Sequence, residues 1–139
     1  MTFPRLARRL AAAAVLGVSA ACSGDETAPT HDDHTPTSYT VLIGGTEATA
    51  PYTFAAGQTV RVQLKFFNAA LEDLDEVETS HFAALTFDPA TLATVAPVAD
   101  HHFQFDVTGG TVGTGTVQIG YGHDAQADEH SFTADAATE

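Results

Sequence analysis

Residues 59–68 read TVRVQLKFFN, and this stretch decides the fold class. Val60, Val62, Leu64 and Phe66 alternate with Thr59, Arg61, Gln63 and Lys65. A period of two is that of a strand with one face buried, whereas a helix repeats its apolar positions every 3.6 residues. The same pattern extends outward in both directions. It predicts strands near 38–43 (SYTVLI), 81–87 (HFAALTF), 92–97 (LATVAP), 101–107 (HHFQFDV), 114–123 (TGTVQIGYGH) and 130–135 (HSFTAD). A short edge piece at 51–55 (PYTFA) is a weaker candidate. Gly44-Gly45, Ala56-Gly57, Asp88-Pro89 and Gly109-Gly110 with Gly113 supply the turns between them. The expected core faces are Ala83, Leu85 and Phe87; Phe103, Phe105 and Val107; Val117, Ile119 and Tyr121; and Phe132.

Seven such strands predict an all-β, antiparallel sandwich of two sheets, a single domain over residues 38–139. The phrase AGQTVRV at 56–62 resembles the second strand of bacterial immunoglobulin-like modules. That resemblance implies an immunoglobulin-like sandwich. The disulfide and tryptophan usual between its sheets have no counterpart, because the chain has one cysteine and no tryptophan. Burial alone must hold the sheets together.

The N-terminus has a different character. Arg5, Arg8 and Arg9 precede an apolar run from Leu10 to Ala21. Its twelve residues fall well short of the roughly 20 that a bilayer-spanning helix needs. The run ends in Ser19-Ala20-Ala21-Cys22, which resembles the lipobox of bacterial lipoproteins. The lipobox prefers Leu where Ser19 stands. The resemblance implies that residues 1–21 are a removable signal peptide and that Cys22 carries the lipid. It implies an exported protein anchored to the cell envelope through Cys22. Ser23, rather than Asp, after the cysteine resembles the signal for the outer membrane or its periplasmic face.

Beyond Cys22 there are eighteen acidic residues and only two bases, Arg61 and Lys65, a formal charge of −16. A polyanion of this kind does not bind nucleic acid or anionic headgroups through charge, and it attracts cations. Residues 22–37 begin with the lipidated cysteine and continue as SGDETAPTHDDHTPT, acidic and twice broken by proline. This predicts a disordered tether. Within it, His31-Asp32-Asp33-His34 is a compact candidate set of metal ligands, although ordering so flexible a site costs chain entropy.

Histidine placement points to chemistry. His81 shares the inward parity of Ala83, and His101 that of Phe103. His123 shares the parity of Tyr121, and His130 that of Phe132. If successive strands run antiparallel, His81, His101 and His130 each begin a strand at one rim, where His123 ends another. His102 replaces His101 if the phase there is off by one. Glu78, Asp100, Asp124, Asp128 and Glu129 fall in the loops of that rim and are candidates to orient the rings. Neutral imidazoles with carboxylates behind them suit Zn, Cu or Ni, whereas Ca prefers six or more oxygens. Copper electron transfer of the cupredoxin kind is excluded, since no free thiol remains and the only methionine is Met1.

The expected function is non-catalytic binding of a divalent transition metal ion. The alternative is an immunoglobulin-like surface or periplasmic module that binds protein or glycan without metal. Enzyme chemistry is not expected. The acidic run EDLDEVE at 72–78 has nothing to separate the proton affinities of its carboxylates, and no serine sits in a Gly-x-Ser-x-Gly elbow. Zinc hydrolysis on three histidines stays open as a minor alternative.

Overall fold

The computed structural model describes residues 34–74, 80–123 and 127–139. The expected signal peptide, Cys22, tether residues 22–33, and Glu78 and Asp124 lie outside the described residues.

The described chain is all-β, with two packed sheets. It has nine strands where the sequence pattern predicts seven and an edge piece: β1 (Ser38–Ile43), β2 (Thr46–Ala48), β3 (Tyr52–Phe54), β4 (Thr59–Phe67), β5 (His81–Asp88), β6 (Ala93–Val98), β7 (His101–Gly109), β8 (Gly113–His123) and β9 (His130–Thr138). One sheet runs β2-β1-β4-β7-β6 and the other β3-β9-β8-β5. The strand the sequence reading lacks is β2. Gly44 and Gly45 both take positive φ, 60° and 83°, and set Ile43 opposite Thr46 in a two-residue hairpin. Thr46-Glu47-Ala48 carries no apolar alternation, so nothing in the period-two pattern marks it. The edge piece forms as β3 and pairs in parallel with β9.

Alternation puts the expected side chains between the sheets. Val62, Leu64, Phe66, Phe87, Phe103, Phe105, Val107, Val117, Ile119 and Tyr121 are buried. Val60, Ala83, Leu85 and Phe132 pack partly buried against them. Phe66 stands at the centre, its ring 5.3 Å from Phe103, 5.0 Å from Tyr121 and 6.4 Å from Phe132. On the outer surface Arg61 pairs with Asp106 across β4 and β7 at 2.7 Å, and the contact raises the proton affinity of the guanidinium.

The turn between β7 and β8 depends on absent side chains. The Gly110 N–H donates to the Leu92 carbonyl at 2.8 Å, so the two backbones lie against each other. A Cβ on Gly110 would run into the Thr91 carbonyl oxygen. Gly110→Ala is therefore expected to cost about 1–3 kcal/mol, an overpacking effect larger than the entropy Ala would save. The denaturant midpoint reads it, and an unchanged midpoint would refute the close approach.

The described chain packs earlier than residue 38. Pro36 is buried, and the Thr37 N–H donates to the Phe67 carbonyl at 2.8 Å. Residues 34–37, expected to belong to the tether, lie against the domain because these contacts continue β1 one step beyond its first strand residue.

Candidate metal centre

Three elements converge at one end of the second sheet. β5 begins at His81 and β8 ends at His123, and the antiparallel register sets these two residues directly opposite. Side chains opposite one another on antiparallel strands share a face, so the two rings meet, 4.7 Å apart between centroids and nearly edge to face. His34, four positions ahead of β1, adds a third ring 4.9 Å from His81 and 6.0 Å from His123. One nitrogen from each ring lies within 4.8 Å of the other two.

Burial and hydrogen bonding constrain these rings. His81 is only 2% exposed, against Tyr121 at 5.5 Å. The Nδ1 of His34 is buried and has no hydrogen-bond partner among the described residues. Leaving a buried polar atom unsatisfied costs about 1–3 kcal/mol, so a ligand that engages it is favoured. His123 Nδ1 donates to Glu129 Oε2 at 2.7 Å, which leaves Nε2 facing away from the carboxylate. That hydrogen bond holds the Glu129 carboxyl below its ordinary range. A carboxylate on the outer nitrogen is the usual way in which a metal-ligating histidine ring is oriented.

The geometry is close to coordination. Metal–nitrogen bonds of about 2.0–2.1 Å imply nitrogens some 3.3–3.4 Å apart around a tetrahedral ion. The widest nitrogen separation would have to close by about 1.4–1.5 Å.

The other expected residues take different positions. His130 lies opposite Tyr121 rather than His123, two residues back along β8, with its ring 6.2 Å from Tyr121. His101 is exposed, and its Nδ1 accepts from Gln104 Nε2 at 3.2 Å. His102 stacks on Phe82 at 4.2 Å and donates from Nδ1 to the His81 carbonyl at 2.9 Å. The register of β6 and β7 shifts at Pro97/Val98, and such an irregularity re-aims the residues beyond it. His101, His102 and His130 thus do not join the group of three. Asp100 occupies the β6–β7 turn with φ of 62°, and Asp128 is exposed. Glu129 alone among the described carboxylates of the expected set meets a ring of the group of three.

His34 is the residue the strand pattern does not assign to this site. The signal for it is the His31-Asp32-Asp33-His34 cluster, which a proline-broken, polar context disguises as tether.

If the three imidazoles hold an ion, Glu129→Gln is expected to weaken its binding by about 10–100-fold while leaving the melting temperature of the metal-free protein nearly unchanged. Competition against a chromogenic chelator measures the first, and a thermal melt in chelator the second. Equal affinities in the two proteins would remove Glu129 from the site.

No protein-family model matches the chain, and no curated protein matches it. Among solved structures, domains 4 and 5 of the S-layer protein SbsC are similar to it, with 16% identity and a TM-score of 0.47. The similarity covers 75% of this chain and 46% of that one, so the chain spans less than half the length of that structure.

Proposed function

We propose that this chain is an exported, lipid-anchored, non-catalytic domain that captures a divalent transition metal ion on His34, His81 and His123. The observation that carries the reading is the group of three imidazoles, each offering one nitrogen within 4.8 Å of the other two. Three neutral nitrogens suit Zn, Cu or Ni, and Glu129 orients one ring. A formal charge of −16 beyond Cys22 concentrates cations around the domain.

The strand order supports an immunoglobulin-like scaffold for the site. β1-β4-β7-β6 and β5-β8-β9 follow the succession of the two sheets in immunoglobulin domains, with β3 added beside β9. Anchoring rests on the lipobox-like residues 19–22, and Cys22→Ser is expected to move the protein from the membrane fraction to the soluble one. Recovery of that variant in membranes would overturn the anchor.

The metal reading is tested by melting the chelator-stripped protein with Zn²⁺, Cu²⁺, Ni²⁺ or Ca²⁺ added in turn. A rise with at least one transition ion and none with Ca²⁺ is expected. No response to any transition ion would overturn the reading and return the chain to the class of interaction modules without metal.

A further inference from the structure

We propose that the ion acts as a latch, fastening the N-terminal arm across the end of the sandwich. This inference rests on the metal reading and concerns what occupancy controls.

The three ligands differ in how they are held. His81 and His123 sit opposite each other in an eight-pair ladder between β5 and β8, so two thirds of the site exists wherever the second sheet is folded. His34 comes from the other direction. It lies four residues before β1, a strand of the opposite sheet, on a segment with no strand pairing of its own. The base of that segment is fixed by Thr37, whose N–H and hydroxyl both reach the Phe67 carbonyl, at 2.8 and 3.4 Å, and by buried Pro36. At its tip the His34 ring reaches the second sheet and leaves Nδ1 buried without a partner among the described residues. An ion on all three nitrogens ties the chain entering the first sheet to the end of the second.

Linkage makes the effect reciprocal. If docking of the arm strengthens ion binding by some factor, the ion strengthens docking of the arm by the same factor. Couplings of this kind typically run about 5–150-fold. Under the lipid-anchor reading, the latch also sets the reach of the tether. Twelve residue steps then separate Cys22 from the first fixed residue instead of the fourteen to buried Pro36, which shortens the maximum span by about 7 Å.

Hydrogen exchange on the full chain in detergent micelles, with and without Zn²⁺, tests this alongside calorimetric titration with Zn²⁺. The expected result is slower exchange of the Thr35 and Thr37 amides when Zn²⁺ is present. In His34→Ala that slowing should disappear, and Zn²⁺ should bind more weakly by a factor similar to the slowing seen in the native chain. Tight binding of Zn²⁺ to the native chain with no change at Thr35 and Thr37 would overturn the latch and leave the metal reading standing. So would undiminished affinity in His34→Ala. No calorimetric binding to the native chain would overturn both. The exchange measurement on the native chain decides the matter even if the variant folds poorly.

Discussion

His81→Gln is expected to remove most of the metal-dependent rise in melting temperature. An ion present at 100 times its dissociation constant stabilises the native state by about 2.7 kcal/mol, and in a domain of this size that raises the melting temperature by on the order of 10–20 °C. If losing one of three ligands weakens binding a hundredfold, the same ion concentration contributes only about 0.4 kcal/mol, a shift of a few degrees. His81 is the informative position because its ring touches both other ligand rings, at 4.9 and 4.7 Å. Glutamine is close to histidine in volume, so the change tests the donor atom more than the packing. His81 is nearly fully buried, and some loss of metal-free stability is expected as well. The comparison is therefore the shift within each protein, melted in chelator and then in Zn²⁺. His101→Gln and His130→Gln serve as controls, since neither ring joins the group of three. Both should keep the full shift. A full shift in His81→Gln, or its loss in His101→Gln, would place the ion elsewhere.

That contrast marks how far the sequence alone reaches. Alternation along TVRVQLKFF fixes which side of β4 is buried, and the same argument places the inward residues of β5, β7 and β8. It also brings His81 and His123 to the same end, because antiparallel reversal matches the start of one strand with the finish of its neighbour. Parity does not specify register. His130 has the expected parity, but the β8–β9 ladder sets it opposite Tyr121, one pleat away from His123. Nor does parity survive a register shift, and the one at Pro97/Val98 precedes His101 and His102. His34 belongs to no strand. Its docking depends on a tertiary contact between a polar segment and a distant sheet end, and no local periodicity encodes such a contact. The sequence does mark the residue as a ligand candidate through its neighbours, without indicating where the chain folds it.

Phe66→Ala is expected to be the most destabilising of the substitutions considered, at about 3–5 kcal/mol. Phe66 is fully buried, and its ring meets Phe103, Tyr121 and Phe132. Truncation removes the transfer energy of the ring and leaves a cavity that rigid strands on both sides cannot close. Domains are typically stable by about 5–15 kcal/mol, so the variant should sit near the edge of folding and lose on the order of 15 °C or more in melting temperature. Phe66→Leu keeps much of the volume and should cost well under half as much. The consequence extends to the metal centre through Tyr121, which lies between Phe66 at 5.0 Å and the rings of His81 at 5.5 Å and His123 at 5.8 Å. A tyrosine free to lean into the cavity no longer backs those two imidazoles. Phe66→Ala should therefore also bind Zn²⁺ more weakly at temperatures where it remains folded, although no ligand atom has been altered. Denaturant titration in chelator gives the first effect and calorimetry below the melting range the second. A loss below about 1 kcal/mol would contradict the central position of Phe66. A large loss with unchanged Zn²⁺ affinity would show that the β5–β8 ladder alone is enough to hold the two imidazoles in place.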